Sequence, residues 1–319
     1  MTDLLDGVRP EPKRDQYGRY LLPDPDTGKE VAWTRATTWS GTMKDRFGLN
    51  KWEMRMVAKG LGLRPDLHAL AASTPLGDKK ALDRVVQDAK EAAEASSGAN
   101  KGTALHRFTE LYDLGEPFHA PAPYDRDVEA YAAKMKEKGL RALPQYIERI
   151  VVVPDLGIAG TLDRIVAYNE AGDLRILDFK SGANLFYSLG EIEIQLAIYA
   201  NAGLMWNDRT GEYEPMPEVD KDLALIAHCA AGSGHCEIIE SDIARGLEFI
   251  KLSGQVRAWR QRKPLQKIYD PSKTAAGRIA RAKNKAELKA LWEQAKTEGL
   301  VTEEVKRAVQ RRLSQLQSK

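Results

Sequence analysis

Apolar residues recur at helical spacing through the first part of the chain. Met43, Phe47, Trp52, Met56, Val57 and Leu61 predict a helix over 40–63, and a second is expected over 78–95. A third starts at Asn100 or Thr103 and carries Leu105, His106, Thr109 and Glu110; a fourth covers 124–138 and stops at Gly139. After Leu143 the pattern changes to β-branched runs. Residues 146–153, 158–168 and 174–179 read as consecutive strands, with a turn at 169–172 between the last two. Helical spacing returns over 190–205 through Ile192, Leu196, Tyr199 and Ala200. Two further strands, 223–230 and 235–239, precede a helix over 242–260.

This order predicts an α/β fold, a mixed central sheet flanked by helices, with a helical N-terminal region and a C-terminal helical hairpin. Residues 1–99 are expected to form a mainly helical N-terminal extension whose first thirty residues, rich in Pro, Asp and Gly, add little core and read as short extended pieces around a turn at 23–28. Residues 100–262 form the core, 263–283 a basic linker, and 284–319 the hairpin. There, Asn284 with Glu287 is a capping-box-like start, Leu288, Leu291, Trp292 and Ala295 form the apolar stripe, and Thr302 caps the last helix.

The 319 residues include 48 Lys+Arg and 46 Asp+Glu, so the total charge is uninformative. Its distribution is more telling: residues 251–285 hold eleven Lys/Arg against the acid Asp270, which points to a polyanionic partner. Apolar runs fall well short of the roughly 18 residues of a membrane span. The N-terminus resembles no targeting peptide, and a cytoplasmic location is expected. Cys229 and Cys236 are too few for a disulfide framework, a thiolate zinc site or an iron–sulfur cluster, and read as ordinary buried thiols.

The candidate chemistry lies in 157–199. Asp163 interrupts an apolar strand. Asp178 and Lys180 share one face of the next strand, because two residues is the strand period. If the turn at 169–172 pairs these strands antiparallel, Asp163 and Asp178 lie side by side. Adjacent carboxylates repel, and a divalent cation is their natural compensation. Oxygen ligands favour Mg²⁺ or Mn²⁺, and the backbone carbonyl of Phe179 can add another. Lys180 beside a metal suits water positioning for phosphodiester hydrolysis, whereas a solvated Asp178–Lys180 pair is the plain alternative. Gln195 and Tyr199, four apart on the following helix, project onto the same face.

Together, Gly102-Thr-Ala-Leu-His106, Gly160-Thr-Leu-Asp163, Ile176-Leu-Asp178-Phe-Lys180-Ser-Gly182 and Gln195-Leu-Ala-Ile-Tyr199 resemble the PD-(D/E)xK nucleases. Within them, the resemblance is to the RecB-type exonucleases of phage and bacterial recombination. It spans about 101–262. It implies a restriction-endonuclease-like core and a metal-dependent DNA exonuclease. His106, Asp163, Asp178 and the Phe179 carbonyl then hold the metal, Lys180 acts on the attacking water, and Gln195 and Tyr199 line the site. Some relatives carry an iron–sulfur cluster, which these cysteines cannot build, and no nucleotide-binding P-loop of the form GxxxxGK[ST] is present. The partners implied are DNA ends, single- or double-stranded, together with a single-strand annealing or other recombination protein, and a homo-oligomer is an option. The alternatives are a structure-specific endonuclease using the same site and a catalytically silent DNA-binding scaffold.

Several residues stand outside this set. Glu148 reads as a solvated strand position or an acid behind the site, and Glu110 as a surface helix residue. Arg35 is a candidate phosphate grip. Phe186 and Tyr187 suit either base stacking at the site mouth or core packing, and Trp259 and Tyr269 accompany the basic stretch. His228 and His235 are explained by strand alternation.

Overall fold

In the computed structural model, which describes residues 12–95, 97–169, 171–262 and 271–317, the chain forms two units, 1–261 and 262–319. The first opens with an antiparallel hairpin of β1 (Tyr20–Pro23) and β2 (Glu30–Arg35). Asp24 Oδ1 accepts the backbone N–H groups of Asp26 and Thr27 and so closes the turn. The turn between extended pieces is as the sequence reads, but the segment was expected to add little core. Instead Tyr20, Leu22 and Trp33 bury against Ile150, Val152 and Ala159. The burial is what the sequence hides, because β1 offers only four residues and its partners Ile150, Val152 and Ala159 are far along the chain.

Six helices follow or interleave: α1 (Ala36–Ser40), α2 (Phe47–Leu63), α3 (Pro65–Ser73), α4 (Lys79–Ala92), α5 (Ser97–Leu114) and α6 (Tyr124–Glu137). The helix expected from residue 40 starts later, because Gly41–Met43 is a 3₁₀ turn and Lys44 is extended. Pro65, preset for a first helical turn, begins the unexpected α3. Asp78 caps α4 by accepting the Ala81 N–H, and Gly139 follows α6 at φ 64°.

The sheet strands are β3 (Arg141–Ala142), β4 (Arg149–Val153), β5 (Ile158–Leu162), β6 (Arg164–Ala167) and β7 (Leu174–Lys180). After α7 (Leu189–Ala200) come β8 (Leu204–Asn207), β9 (Glu212–Pro215), β10 (Leu223–His228), β11 (Glu237–Asp242) and α8 (Ile243–Gln261). The strand expected over 158–168 breaks at Asp163. Its first half joins the order β1-β2-β5-β4-β8-β9 and its second the order β11-β10-β7-β6-β3. The result is a mixed, curled α/β sheet flanked by helices. Strand β7 runs parallel to β10, with α7 in the connection between them.

Alternation along β7 sorts its side chains between two cores. Ile176 packs with Leu162, Leu196 and Ile226 beneath α7 and α8, whereas Leu177 and Phe179 pack with Leu105 and Tyr131 of α5 and α6. Each fully buried side chain of this kind contributes about 1.5–3 kcal/mol. Cys229 and Cys236, expected as separate thiols, are buried as expected but form a disulfide across the β10–β11 hairpin. The hairpin register explains this, since it pairs His228 with Glu237 and so sets the next two residues opposite each other.

The second unit contains α9 (Pro271–Ala280), α10 (Lys285–Thr297) and α11 (Glu303–Gln317). Helix α9 lies in the stretch expected as linker, so the hairpin is a three-helix unit around Ala275, Ile279, Leu288, Ala295 and Val305. Small apolar residues make up the buried stripe of α9, which a scan for large hydrophobic residues passes over. Asn284 Oδ1 accepts the Glu287 N–H, the cap that the spacing suggested, and Glu287 Oε2 returns to the Lys283 N–H, one residue before the cap. Residues 263–270 of the expected linker, Tyr269 included, lie outside the described residues.

Candidate functional site

The break at Asp163 organises the site. The antiparallel register of β6 with β7 matches Arg164 to Leu177, so one step further it sets Asp163 opposite Asp178. The Asp163 carboxylate takes over the pairing there, with Oδ2 accepting the Phe179 N–H at 2.7 Å. Its main-chain carbonyl accepts the Glu148 N–H at 2.9 Å, which draws the residue before β4 to the same point. From the other side α5 brings His106, whose Nε2 lies 3.2 Å from Asp163 Oδ2 and 3.5 Å from Glu148 Oε1. The imidazole meets the Phe179 ring edge-on, with centroids 5.7 Å apart. One turn before His106, a Cβ on Gly102 would run into Ser181 Oγ, so glycine permits the close approach of α5 to the end of β7.

On the opposite face of β7, Lys180 pairs with the buried Asp178. Gln195 Nε2 lies 3.5 Å from Asp178 Oδ1 and donates to the Tyr199 hydroxyl at 3.0 Å. Tyr199 is buried against β5 because Gly160 makes room for it; a Cβ there would fall 2.7 Å from Tyr199 Cε1.

Thus six of the expected side chains flank one junction: His106 and Asp163 in direct contact, and Asp178, Lys180, Gln195 and Tyr199 linked along the neighbouring face, with the Phe179 backbone between. Glu148 joins them and is not the solvated strand residue expected. It precedes β4 in left-handed backbone (φ 51°), largely buried, with Oε1 lacking a hydrogen-bond partner. Also missed was a buried layer behind Asp163. There, Arg164 pairs with Asp113 and donates to Thr109 Oγ1 at 3.0 Å, and the Tyr131 hydroxyl donates to Asp113 at 2.8 Å. An arginine at the centre of an apolar strand was the signal for it.

The charges respond to this crowding. Burial, reinforced by the Asp163 charge, pushes the Glu148 carboxyl up to about 8. Burial and Asp163 likewise push Asp178 up to about 6, against the pull of Lys180. Burial acts to raise Asp163 too, but His106, Lys180 and Arg164 outweigh it and hold the group below the usual carboxylate range. For His106, burial is outweighed by Asp163 and Glu148, which keep the imidazole above its ordinary value. For Lys180, burial is outweighed by Asp178 and Asp163, which strengthen its hold on its proton.

A carboxylate forced to keep its proton beside a second carboxylate is what a divalent cation relieves. One ligand atom each from His106, Glu148 and Asp163 fits within 4.8 Å, and the unpartnered Glu148 oxygen is among these groups, so the residues fit such an ion. Asp178 is outside that trio and is engaged by Lys180 and Gln195. A cleft of about 500 Å³, lined by Gly98, Gly102, Thr103, His106, Ser181 and Gly182, leads to the imidazole.

The remaining candidates lie around this centre. Glu110 is paired with Arg107 and adds negative charge near Glu148. Arg35 is exposed and lies beside the Gly18 turn. His228 Nε2 meets the Gly182 carbonyl at 2.7 Å, and His235 pairs with Glu237 on the surface. Phe186 and Tyr187 are 73% and 88% exposed, which removes the core-packing option, and Trp259 is exposed on α8.

The profile of the PD-(D/E)XK nuclease superfamily matches residues 66–210, a span that contains every residue of the junction. The match supports placing the chain in that superfamily and, with it, a nuclease. No curated protein matches the chain significantly. Among the described residues, no helix is long and apolar enough to cross a membrane.

Proposed function

We propose that the chain is a RecB-type, Mg²⁺- or Mn²⁺-dependent deoxyribonuclease that hydrolyses phosphodiester bonds at DNA ends, in phage or bacterial recombination or replication. The observation that carries this reading is the meeting of His106, Glu148 and Asp163 at a sheet break directly opposite Asp178 and Lys180. A structural salt-bridge network has no need of a buried carboxyl oxygen left without a hydrogen bond.

In this reading Asp163, His106 and Glu148 hold the cation, with Asp178 and the Phe179 carbonyl completing its oxygen ligands. The bound cation supplies neutralisation of phosphate charge and acidification of a coordinated water. Lys180, held as an ammonium by Asp178, donates hydrogen bonds that orient the attacking water or the scissile phosphate. Gln195 steadies Asp178, and Tyr199 fixes Gln195. The buried Arg164–Asp113 pair holds the strand at Asp163 from behind.

The test incubates the protein with end-labelled linear and closed circular DNA in Mg²⁺, Mn²⁺ or EDTA, beside Asp178→Asn. Metal-dependent shortening of linear DNA by the unmodified protein alone supports the whole reading. Cutting of the circle moves it to an endonuclease. If neither DNA is cut, the chain is instead a DNA-binding scaffold.

A further inference from the structure

The loop between Lys180 and α7 presents two large aromatic rings to solvent. Phe186 is 73% exposed and Tyr187 is 88% exposed, with the rings nearly perpendicular and their centroids 5.3 Å apart. Single exposed apolar residues are ordinary, but adjacent exposed rings forgo about 1.5–3 kcal/mol of burial each and so call for a reason.

The loop is built rather than slack. At its start, Ser181 accepts the Ala231 N–H on its carbonyl at 3.1 Å, and the Gly182 carbonyl meets His228 Nε2 at 2.7 Å. Midway, Asn184 Oδ1 accepts the Phe186 N–H at 2.7 Å, and Leu185 is buried in the core beneath α7. At its end, the Ser188 N–H donates to the Leu185 carbonyl at 2.8 Å. Leu185 is thus the anchor, and the two rings that follow it are aimed outward on a fixed support. Ser181 and Gly182 of the same loop line the cleft that ends at His106. Five residues reach at most about 18 Å, so the rings stand within a few nucleotides of the candidate reaction centre.

We propose that Phe186 and Tyr187 stack on unpaired bases beside the scissile phosphate, and that the preferred substrate is therefore single-stranded DNA or a single-stranded end. This rests on the nuclease reading above and adds its substrate class. A duplex offers its base faces only to neighbouring pairs, so exposed rings on this loop gain little from it. An unpaired strand offers every base face, and stacking of this kind tolerates any sequence.

The test measures binding in EDTA, where no cleavage occurs. Fluorescein-labelled dT20 and a blunt duplex of equal length are titrated with the full chain and with Phe186→Ala/Tyr187→Ala. The unmodified protein should bind dT20 at least about tenfold more tightly than the duplex. Removal of both rings should weaken dT20 binding by about tenfold or more and leave duplex binding unchanged. Phe186→Trp/Tyr187→Trp should restore dT20 affinity, and matching circular dichroism should show that the variants fold. Equal affinity for the two DNAs, no binding of dT20, or an unaltered dT20 affinity in the folded alanine variant overturns the proposal. Because no metal is present, these outcomes are separate from any failure of the protein to cut DNA in Mg²⁺ or Mn²⁺.

Discussion

At the scale of single residues, Glu148 is held where an isolated carboxylate is costly, in a left-handed backbone and beside Asp163. Its folded-state pKa of about 8 lies above its ordinary value of 4.5. The folded protein therefore binds the proton more tightly than the unfolded chain does. The resulting stability is fully present below about pH 4.5 and is lost as pH rises through about 8. In EDTA, the Tm should fall between pH 5 and pH 8.5, and Glu148→Gln should flatten that fall. Added Mn²⁺ should raise the Tm of the unmodified protein most at the alkaline end, and less in the variant. An identical profile in both proteins would remove Glu148 from the cation site. Arg164 gives a second expectation. With the arginine fully buried against Asp113, Arg164→Met should cost about 3–5 kcal/mol in denaturant unfolding. Asp113→Asn in the same chain should recover part of the loss, because the uncompensated buried charge is then gone. Additive losses would mean that the pair is not coupled.

At the scale of elements, Gly160 couples the sheet to α7. A Cβ there would lie 2.7 Å from Tyr199 Cε1 and 2.8 Å from Ala36 Cβ, so both α1 and the Tyr199 ring must shift. Gly160→Ala should destabilise by about 1–3 kcal/mol and reduce DNA cleavage beyond that loss, through the Tyr199–Gln195 contact. Gly190→Ala, with open space around its Cβ, is the control and should change neither by more than about 0.5 kcal/mol. The same comparison shows what could be read in advance. Asp163 and Asp178 were legible as neighbours because they are equidistant from the turn between β6 and β7, and a hairpin register follows from its turn. His106, Gln195 and Tyr199 were legible through their motifs. Glu148 was not, because its place depends on a main-chain bond to Asp163 from a residue that belongs to no repeating pattern. The break of one expected strand into β5 and β6 was equally hidden, since nothing local distinguishes a polar residue inside a strand from one at its corner. Strands β1, β8 and β9 are four residues each, too short for their alternation to stand out, although each pairs with its neighbour in a local antiparallel hairpin.

At the scale of the whole molecule, charge and fold are divided unequally along the chain. The buried clusters of the first unit are drawn from residues up to Ile250, whereas the cluster of the second runs from Ala275 to Ala308. Each unit therefore has apolar contacts enough to be tested by itself. The cations of 251–285 straddle the division, and eight of them, Arg262, Lys263, Lys267, Lys273, Arg278, Arg281, Lys283 and Lys285, lie beyond residue 261. If these groups neutralise phosphates, a chain ending at residue 261 should keep its far-ultraviolet circular dichroism per residue and its metal-dependent cleavage. Its DNA affinity should fall, and the fall should be steepest at low salt. The slope of log K against log salt diminishes by about 0.7 for each single-strand phosphate contact removed. Loss of four such contacts would thus lower the slope by about 3. An unchanged slope would show that the basic segment is a solvated surface with no part in holding DNA. A slope that drops while cleavage at saturating DNA stays constant would assign affinity to the second unit and chemistry to the first.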